Sequence, residues 1–459
     1  MRRAAIIALG SLAALLIAVF VVYAVFTGPG EIPPATVDFA RLGDQERRDL
    51  VARGRYVSQT ADCVACHKSE DGLSFAGGLP METPFGTIYG TNVTPSPTHG
   101  IGGWSADDLY RALVWGINPD GSRLYPAMPY MSYHYMTRAD VDALWVFLMD
   151  QPAVDKPDRA HDLAFPFNIR PALAFWNLLF RPDDRTLPDI SGKSESWHRG
   201  RYLVDVLGHC GECHTPRNIA YAKKSDQHLK GEIIENAESP DITAAGLVAR
   251  GWTPRDLASF LKIGLAPQGT MTFRMFPVLN HSTKYLTDDD LAAMVTYLLD
   301  GADERGAAGR DVAPRDGGAP AAATASAETT GASTRSGQRA SETADHAGRR
   351  LYMGLCAGCH GPDGEGRPHA SVPMATNTTA MLENPLNLVR IIREGVPEHS
   401  LANRERMQAM PAFADVLSHE ETAQLVNYLR LRWGGRPGDV TAQRVAELVD
   451  RYGQRRPDE

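Results

Sequence analysis

Behind Arg2 and Arg3, the chain runs from Ala4 to Phe26 without a charged residue, 23 apolar or small positions in a row. As a helix this run would rise about 34 Å, enough to span a bilayer. It is longer than the apolar core of a secretory signal, and no clear A-x-A-like cleavage site precedes "TGPGEIPP". Residues 1–30 are therefore expected to be a membrane anchor, with a cleaved signal as the alternative, and the two arginines keep the N-terminus in the cytoplasm. Either way the rest of the chain is exported.

Beyond that run the apolar positions fall at helical spacing, in segments that recur. "WSADDLYRALVWGI" from residue 104 matches "WTPRDLASFLKIGL" from 252. Each has a Ser or Thr with Asp three residues later, a helix start, and Gly116 or Gly264 as the stop. A later helix also repeats, as "MTRADVDALWVFL" from 136, "LTDDDLAAMVTYL" from 286 and "LSHEETAQLVNYL" from 417. Thr137/Asp140, Thr287/Asp290 and Ser418/Glu421 read as capping boxes, and Phe147, Tyr297 and Tyr428 stand ten residues after the caps. Equivalent aromatics predict equivalent packing. Two stretches lie outside this pattern. Residues 303–345 are rich in Ala, Gly, Ser and Thr, too poor in large apolar side chains to order themselves, and are expected to be a flexible linker. "AFPFNIRPALAFWNLLF", 164–180, is strongly apolar and unrepeated, which suggests interdomain packing first and a docking or membrane surface second.

The length of 459 residues allows two to four domains, and the formal net charge of -8 argues against nucleic acid as a partner. Export would permit three disulfides between the six cysteines, but their placement argues otherwise. All six lie in three copies of C-x-x-C-H: Cys63, Cys66, His67; Cys210, Cys213, His214; Cys356, Cys359, His360. The copies are separated by 147 and 146 residues, and the similarity extends upstream. "RGRYVSQTADCVACH" at 53 matches "RGRYLVDVLGHCGECH" at 199, with "GRRLYMGLCAGCH" at 348 a looser third version.

C-x-x-C-H is the attachment signature of c-type haem, in which two thioethers fix the macrocycle and the histidine binds its iron. A zinc site would need a fourth ligand that each cluster lacks nearby, and no βαβ pattern accompanies the pairs as in a thioredoxin-like protein. Three covalently bound haems c are expected. Methionine as the sixth ligand would favour electron transfer over an open catalytic site. Met128 in "LYPAMPY" and Met410 in "MQAMPAF" each precede a proline that favours an extended loop. The second repeat offers both Met271 and Met275; His67 to Met128 and His214 to Met275 are both 61 residues apart, which selects Met275. His99, His134 and His281 are rival ligands better read as surface or packing residues. Pro216 and Pro362, just after two of the ligand histidines, are expected to offer carbonyls to the other ring nitrogen. Lys68-Ser69 stands there in the first repeat, so its surroundings are expected to differ.

With these residues in place the sequence resembles the three-haem cytochrome c subunits of bacterial membrane-bound dehydrogenases acting on alcohols, gluconate, sorbitol or fructose. The resemblance runs from about residue 50 to 435, through "FAGGLPMETPFGTIYGTNVTP", "LYPAMPY", "FPFNIRP" with "WNLLF", "GHCGECHTPRN", "HSTKYLTDDDLAAM" and "MPAFADVLS". In that family the second axial methionine stands seven residues before the Ser of an "ST" pair, as Met275 does before Ser282. The third repeat departs from the pattern at "ASVPMATNTTAMLENPLN".

The resemblance implies a mainly α fold of three tandem class I cytochrome c domains after an N-terminal transmembrane helix: 40–155, 190–302 and, past the linker, 346–435, with a C-terminal helix and tail over 436–459. It implies a periplasmic electron-transfer subunit with no bond chemistry of its own, held at the cytoplasmic membrane with its haem domains facing the periplasm. A dehydrogenase catalytic subunit carrying flavin, pyrroloquinoline quinone or molybdenum would supply the electrons, and ubiquinone or a terminal oxidase would accept them. The alternatives are a multihaem enzyme, such as a peroxidase or a thiosulfate-oxidising cytochrome, and a haem subunit of an oxidase.

Overall fold

A computed structural model describes residues 28, 30–182, 186–301 and 346–453, in two units, Met1–Glu212 and Cys213–Glu459. The predicted anchor over 4–26 and the predicted linker over 303–345 lie outside the described residues. Among the described residues no helix is long and apolar enough to cross a membrane. The fold is mainly α, with only short two- and three-stranded sheets.

In the first unit the helix Asp44–Thr60 crosses the helix Arg138–Met149. The approach is close because Gly54 has no side chain: a β-carbon there would overlap the Ala143 carbonyl and stand 2.7 Å from Cβ of Phe147. The third repeat makes the same crossing, where a β-carbon on Gly348 would overlap the Gln424 carbonyl and stand 2.6 Å from Cβ of Tyr428. Phe147 and Tyr428 are thus equivalent in packing as well as in sequence. The third repeat builds its own core from Tyr352, Leu386, Leu425 and Val426, and the helix Ala442–Tyr452 adds Val445 and Leu448 to it.

The helix starts follow the caps. Ser105, Thr137, Thr253, Thr287 and Ser418 each accept the backbone N–H three residues on. The reciprocal half of the capping box forms at Ser105/Asp108 and Ser418/Glu421. The Asp140 carboxylate turns instead to Arg53, 2.9 Å away, and to the Tyr202 hydroxyl, 2.7 Å away. Gly116 and Gly264 end their helices in the left-handed region at φ 62° and 85°, which costs glycine little.

The second repeat has one residue more than the first between its helix glycine and its first cysteine, Gly200 to Cys210 against Gly54 to Cys63. A π-turn lies over Tyr202–Leu207, and Asp62 and His209, each just before a cysteine, both adopt φ > 0.

The apolar segment 164–180 packs on the first unit through a few contacts. Tyr130 donates to Asn177 at 2.7 Å, Phe167 lies against Phe85, and Ala174 is buried. Phe165 and Leu179 remain 79% and 74% exposed, with Phe167, Ile169, Phe175 and Leu178 also exposed.

Candidate haem sites

Each C-x-x-C-H lies on a short helical turn, Cys63–His67, Gly211–His214 following Cys210, and Ala357–His360 following the π-turn Tyr352–Cys356. None of the six cysteines is paired in a disulfide. Burial pushes the Cys63 thiol up to about 12 and the Cys356 thiol up to about 11, so both keep their protons at neutral pH. Among the described residues no three His, Cys, Asp or Glu side chains converge as a metal site requires. Two thiols and an imidazole that do not converge cannot share one zinc ion, but they can serve the edge and the centre of a porphyrin.

The three ligand histidines sit in one repeated cradle of backbone groups. Each Nδ1 is bonded to a carbonyl: His67 to Thr91 at 2.8 Å, His214 to Pro240 at 2.7 Å, His360 to Val372 at 3.0 Å. A carbonyl can only accept, so the proton is on Nδ1 and Nε2 is left with its lone pair. Burial lowers the pKa of all three rings, and the carbonyl bond opposes that in part, so the neutral form is held. The histidine's own carbonyl accepts from a left-handed glycine: Gly77 at 2.8 Å, Gly231 at 2.7 Å, Gly366 at 2.8 Å. Two residues before each glycine stands another left-handed residue, Phe75, Leu229 or Gly364. Its carbonyl accepts from the residue two beyond the Nδ1 acceptor, from Val93 at 2.8 Å, Ile242 at 2.8 Å and Met374 at 2.7 Å.

This cradle corrects the expectation for Pro216 and Pro362. Their carbonyls are not the ring acceptors; the chain returns 12 to 26 residues later to supply Val372, Thr91 and Pro240. The first repeat, expected to differ at Lys68-Ser69, has the same arrangement as the others. A sequence signal was present in "TNVT" at 91 and "PDIT" at 240. Asn92 accepts from the N–H and hydroxyl of Thr94, and Asp241 does the same for Thr243, fixing the turn that presents the preceding carbonyl.

The methionine loops show a parallel register in the first two repeats. The Leu124 N–H bonds the Gly116 carbonyl at 2.9 Å, and the Met271 N–H bonds the Gly264 carbonyl at 2.9 Å. Met271 therefore occupies the place of Leu124 and is 1% exposed, while Met128 and Met275 each stand four residues further on and are half-buried. The third loop differs, since Met410 bridges Val396 through both backbone bonds. Of the rival histidines, His134 is buried edge-on to Trp115, His99 pairs with Asp155, and His281 ends the helix begun by Met275.

Asp62, next to Cys63, has a buried oxygen without a hydrogen-bond partner, and burial raises its carboxyl to about 8 despite the nearby Lys68. A carboxyl whose folded pKa exceeds its unfolded value of about 4 destabilises the fold increasingly as pH rises between those values. Asp62→Asn is expected to gain roughly 1–3 kcal/mol near neutrality and nothing in acid. Thermal melts across that pH range check it, and an unchanged Tm near pH 8 would refute it.

A family model for cytochrome c matches residues 51–152 and 346–433, the first and third repeats. The alcohol dehydrogenase (quinone) cytochrome c subunit of Gluconacetobacter polyoxogenes is 37% identical over 413 residues, covering 87% of this chain and 84% of the relative. The fructose dehydrogenase cytochrome subunit of Gluconobacter japonicus is 37% identical over 87% of this chain and 83% of its own length. The gluconate 2-dehydrogenase cytochrome c subunit of Pantoea cypripedii is 36% identical over 90% and 92%. The chain belongs to this family of dehydrogenase cytochrome c subunits, proteins that carry covalently bound haem c and transfer electrons.

Proposed function

We propose that the chain holds three haems c and relays electrons from a dehydrogenase catalytic subunit to ubiquinone or a terminal oxidase, at the periplasmic face of the cytoplasmic membrane. The threefold recurrence of the histidine cradle carries this reading. It extends the site to the second repeat, which the cytochrome c model does not match. Cys63 and Cys66, Cys210 and Cys213, and Cys356 and Cys359 would hold the three haems through thioether bonds. His67, His214 and His360 present Nε2 to the iron, oriented at Nδ1 and at their own carbonyls. Met128, Met275 and Met410 supply soft thioether donors for the sixth position. When bound, haem supplies a one-electron couple, and His/Met ligation suits it because no ligand must leave when the charge changes. The exposed apolar side chains of 164–180 fit a surface that meets the bilayer or a partner subunit.

Intact mass and a pyridine haemochrome spectrum of the purified protein test the count. Three haems per chain are expected, falling to two in the Cys210→Ala/Cys213→Ala variant; two or fewer in the unaltered protein would refute it. Purification of the native complex tests the partner. A large flavin, quinone or molybdenum dehydrogenase subunit is expected, whereas copper or additional haem types would point to an oxidase.

A further inference from the structure

In the second unit, the loop that leads into Met275 is gripped by three separate elements of the third repeat. The Thr378 N–H donates to the Gln268 carbonyl at 3.0 Å, and the Thr376 hydroxyl bonds the Pro267 carbonyl beside it. The Arg390 guanidinium lies 4.8 Å from the centre of the Phe273 ring. It is held there by the Asn236 carbonyl at 2.6 Å and by both oxygens of Glu394, and is itself 4% exposed. His399, 6% exposed, hydrogen-bonds the Met271 backbone and stacks flat on Phe276, with centroids 3.6 Å apart and planes within 7°. Phe276 is the next residue after Met275. On the second-repeat side, all of these contacts except the one to the Asn236 carbonyl lie between Pro267 and Phe276.

A thioether on a flexible side chain is a weak ligand, so its occupancy depends on how firmly its loop is held. We propose that the third repeat keeps the Met275 loop in its liganding position, with His399 as the principal positioning residue. Methionine ligation at the second haem then requires the third repeat to be docked. This rests on Met275 being that ligand. The 267–276 loop shares the holding of the third repeat with the Glu238 backbone, which exchanges hydrogen bonds with the Asn387 side chain at 2.9 and 2.8 Å.

The test uses the full-length protein. His399→Leu removes both the ring N–H and the flat stack. One haem per chain is expected to lose its ferric methionine charge-transfer band, bind carbon monoxide when reduced, and fall in midpoint potential, while the haem count stays at three. His399→Phe keeps the stack without the hydrogen bond, and should retain more ligation than leucine. Thr378→Pro is a second variant chosen to fold. Position 378 opens a short 3-10 helix, where proline is tolerated, and Asn377 before it is already extended at ψ 122°. It removes the N–H and the hydroxyl that face the Gln268 carbonyl and should shift the same haem by less. Three haems with unchanged bands, potentials and carbon monoxide binding in both His399→Leu and Thr378→Pro would overturn the proposal. A haem count below three in the unaltered protein would instead overturn the site assignment beneath it.

Discussion

Met275→Leu is expected to convert one haem per chain to a form without its methionine ligand, while Met271→Leu leaves all three unchanged. The two methionines are four residues apart, and composition does not distinguish them. Backbone register does: Met271 repeats the hydrogen bond of Leu124, a residue with no donor atom in its side chain, and is itself buried. Leucine there conserves volume and costs less than about 1.5 kcal/mol. Leucine at 275 deletes the only soft donor at the position matching Met128. Because methionine ligation raises the potential of haem iron, its loss should lower that of the second haem by roughly a hundred millivolts or more. Redox titration with optical spectra of both variants checks this. A shift with Met271→Leu and none with Met275→Leu would show that the loop is read one turn out of register.

The cysteines, histidines and helix caps were legible because they act locally. C-x-x-C-H fits on one helical turn, and Ser or Thr three residues before Asp or Glu satisfies a helix start wherever it lies. The spacing of His214 to Met275 agrees with the backbone register that the first two methionine loops share, because a repeat carries tertiary information that one copy lacks. What the sequence did not disclose is the far side of each histidine. Thr91, Pro240 and Val372 act through carbonyls, which every residue possesses, so no residue type marks them. The nearby prolines drew attention to Pro216 and Pro362 because they were adjacent, whereas the fold brings the acceptor from a later turn. "TNVT" and "PDIT" could have been paired, since an Asx side chain binding the threonine two residues on is a local device. The third repeat reaches the same cradle through Val372-Pro373-Met374 without it, which explains why its sequence looked irregular there. The exposed segment 164–180 was readable as apolar but not as uncovered, because hydropathy records composition and not which neighbours arrive.

Gly54→Val and Gly348→Val are expected to cause the largest losses of stability, each confined to its own repeat. Glycine inside a helix is ordinarily a liability of about 1 kcal/mol relative to alanine, so substitution on helical grounds alone would help or be neutral. Packing reverses the sign. A β-carbon at 54 meets the Ala143 carbonyl and one at 348 the Gln424 carbonyl, and backbone in the middle of a helix cannot swing aside as a side-chain tip can. The helices must separate, at roughly 1–3 kcal/mol for a single added carbon and more for the branched side chain of valine. Gly103 provides the control: a β-carbon there meets nothing within 4 Å, and Gly103→Ala should stay within about 0.5 kcal/mol. Because the crossing at Gly54 supports the helix that delivers Cys63 and His67, Gly54→Val should also make the first haem bind carbon monoxide while the third is unaffected, with Gly348→Val giving the converse. Calorimetry with carbon monoxide difference spectra reads both effects. A melting temperature equal to that of Gly103→Ala would mean that the two helices do not approach as closely as Gly54 and Gly348 require.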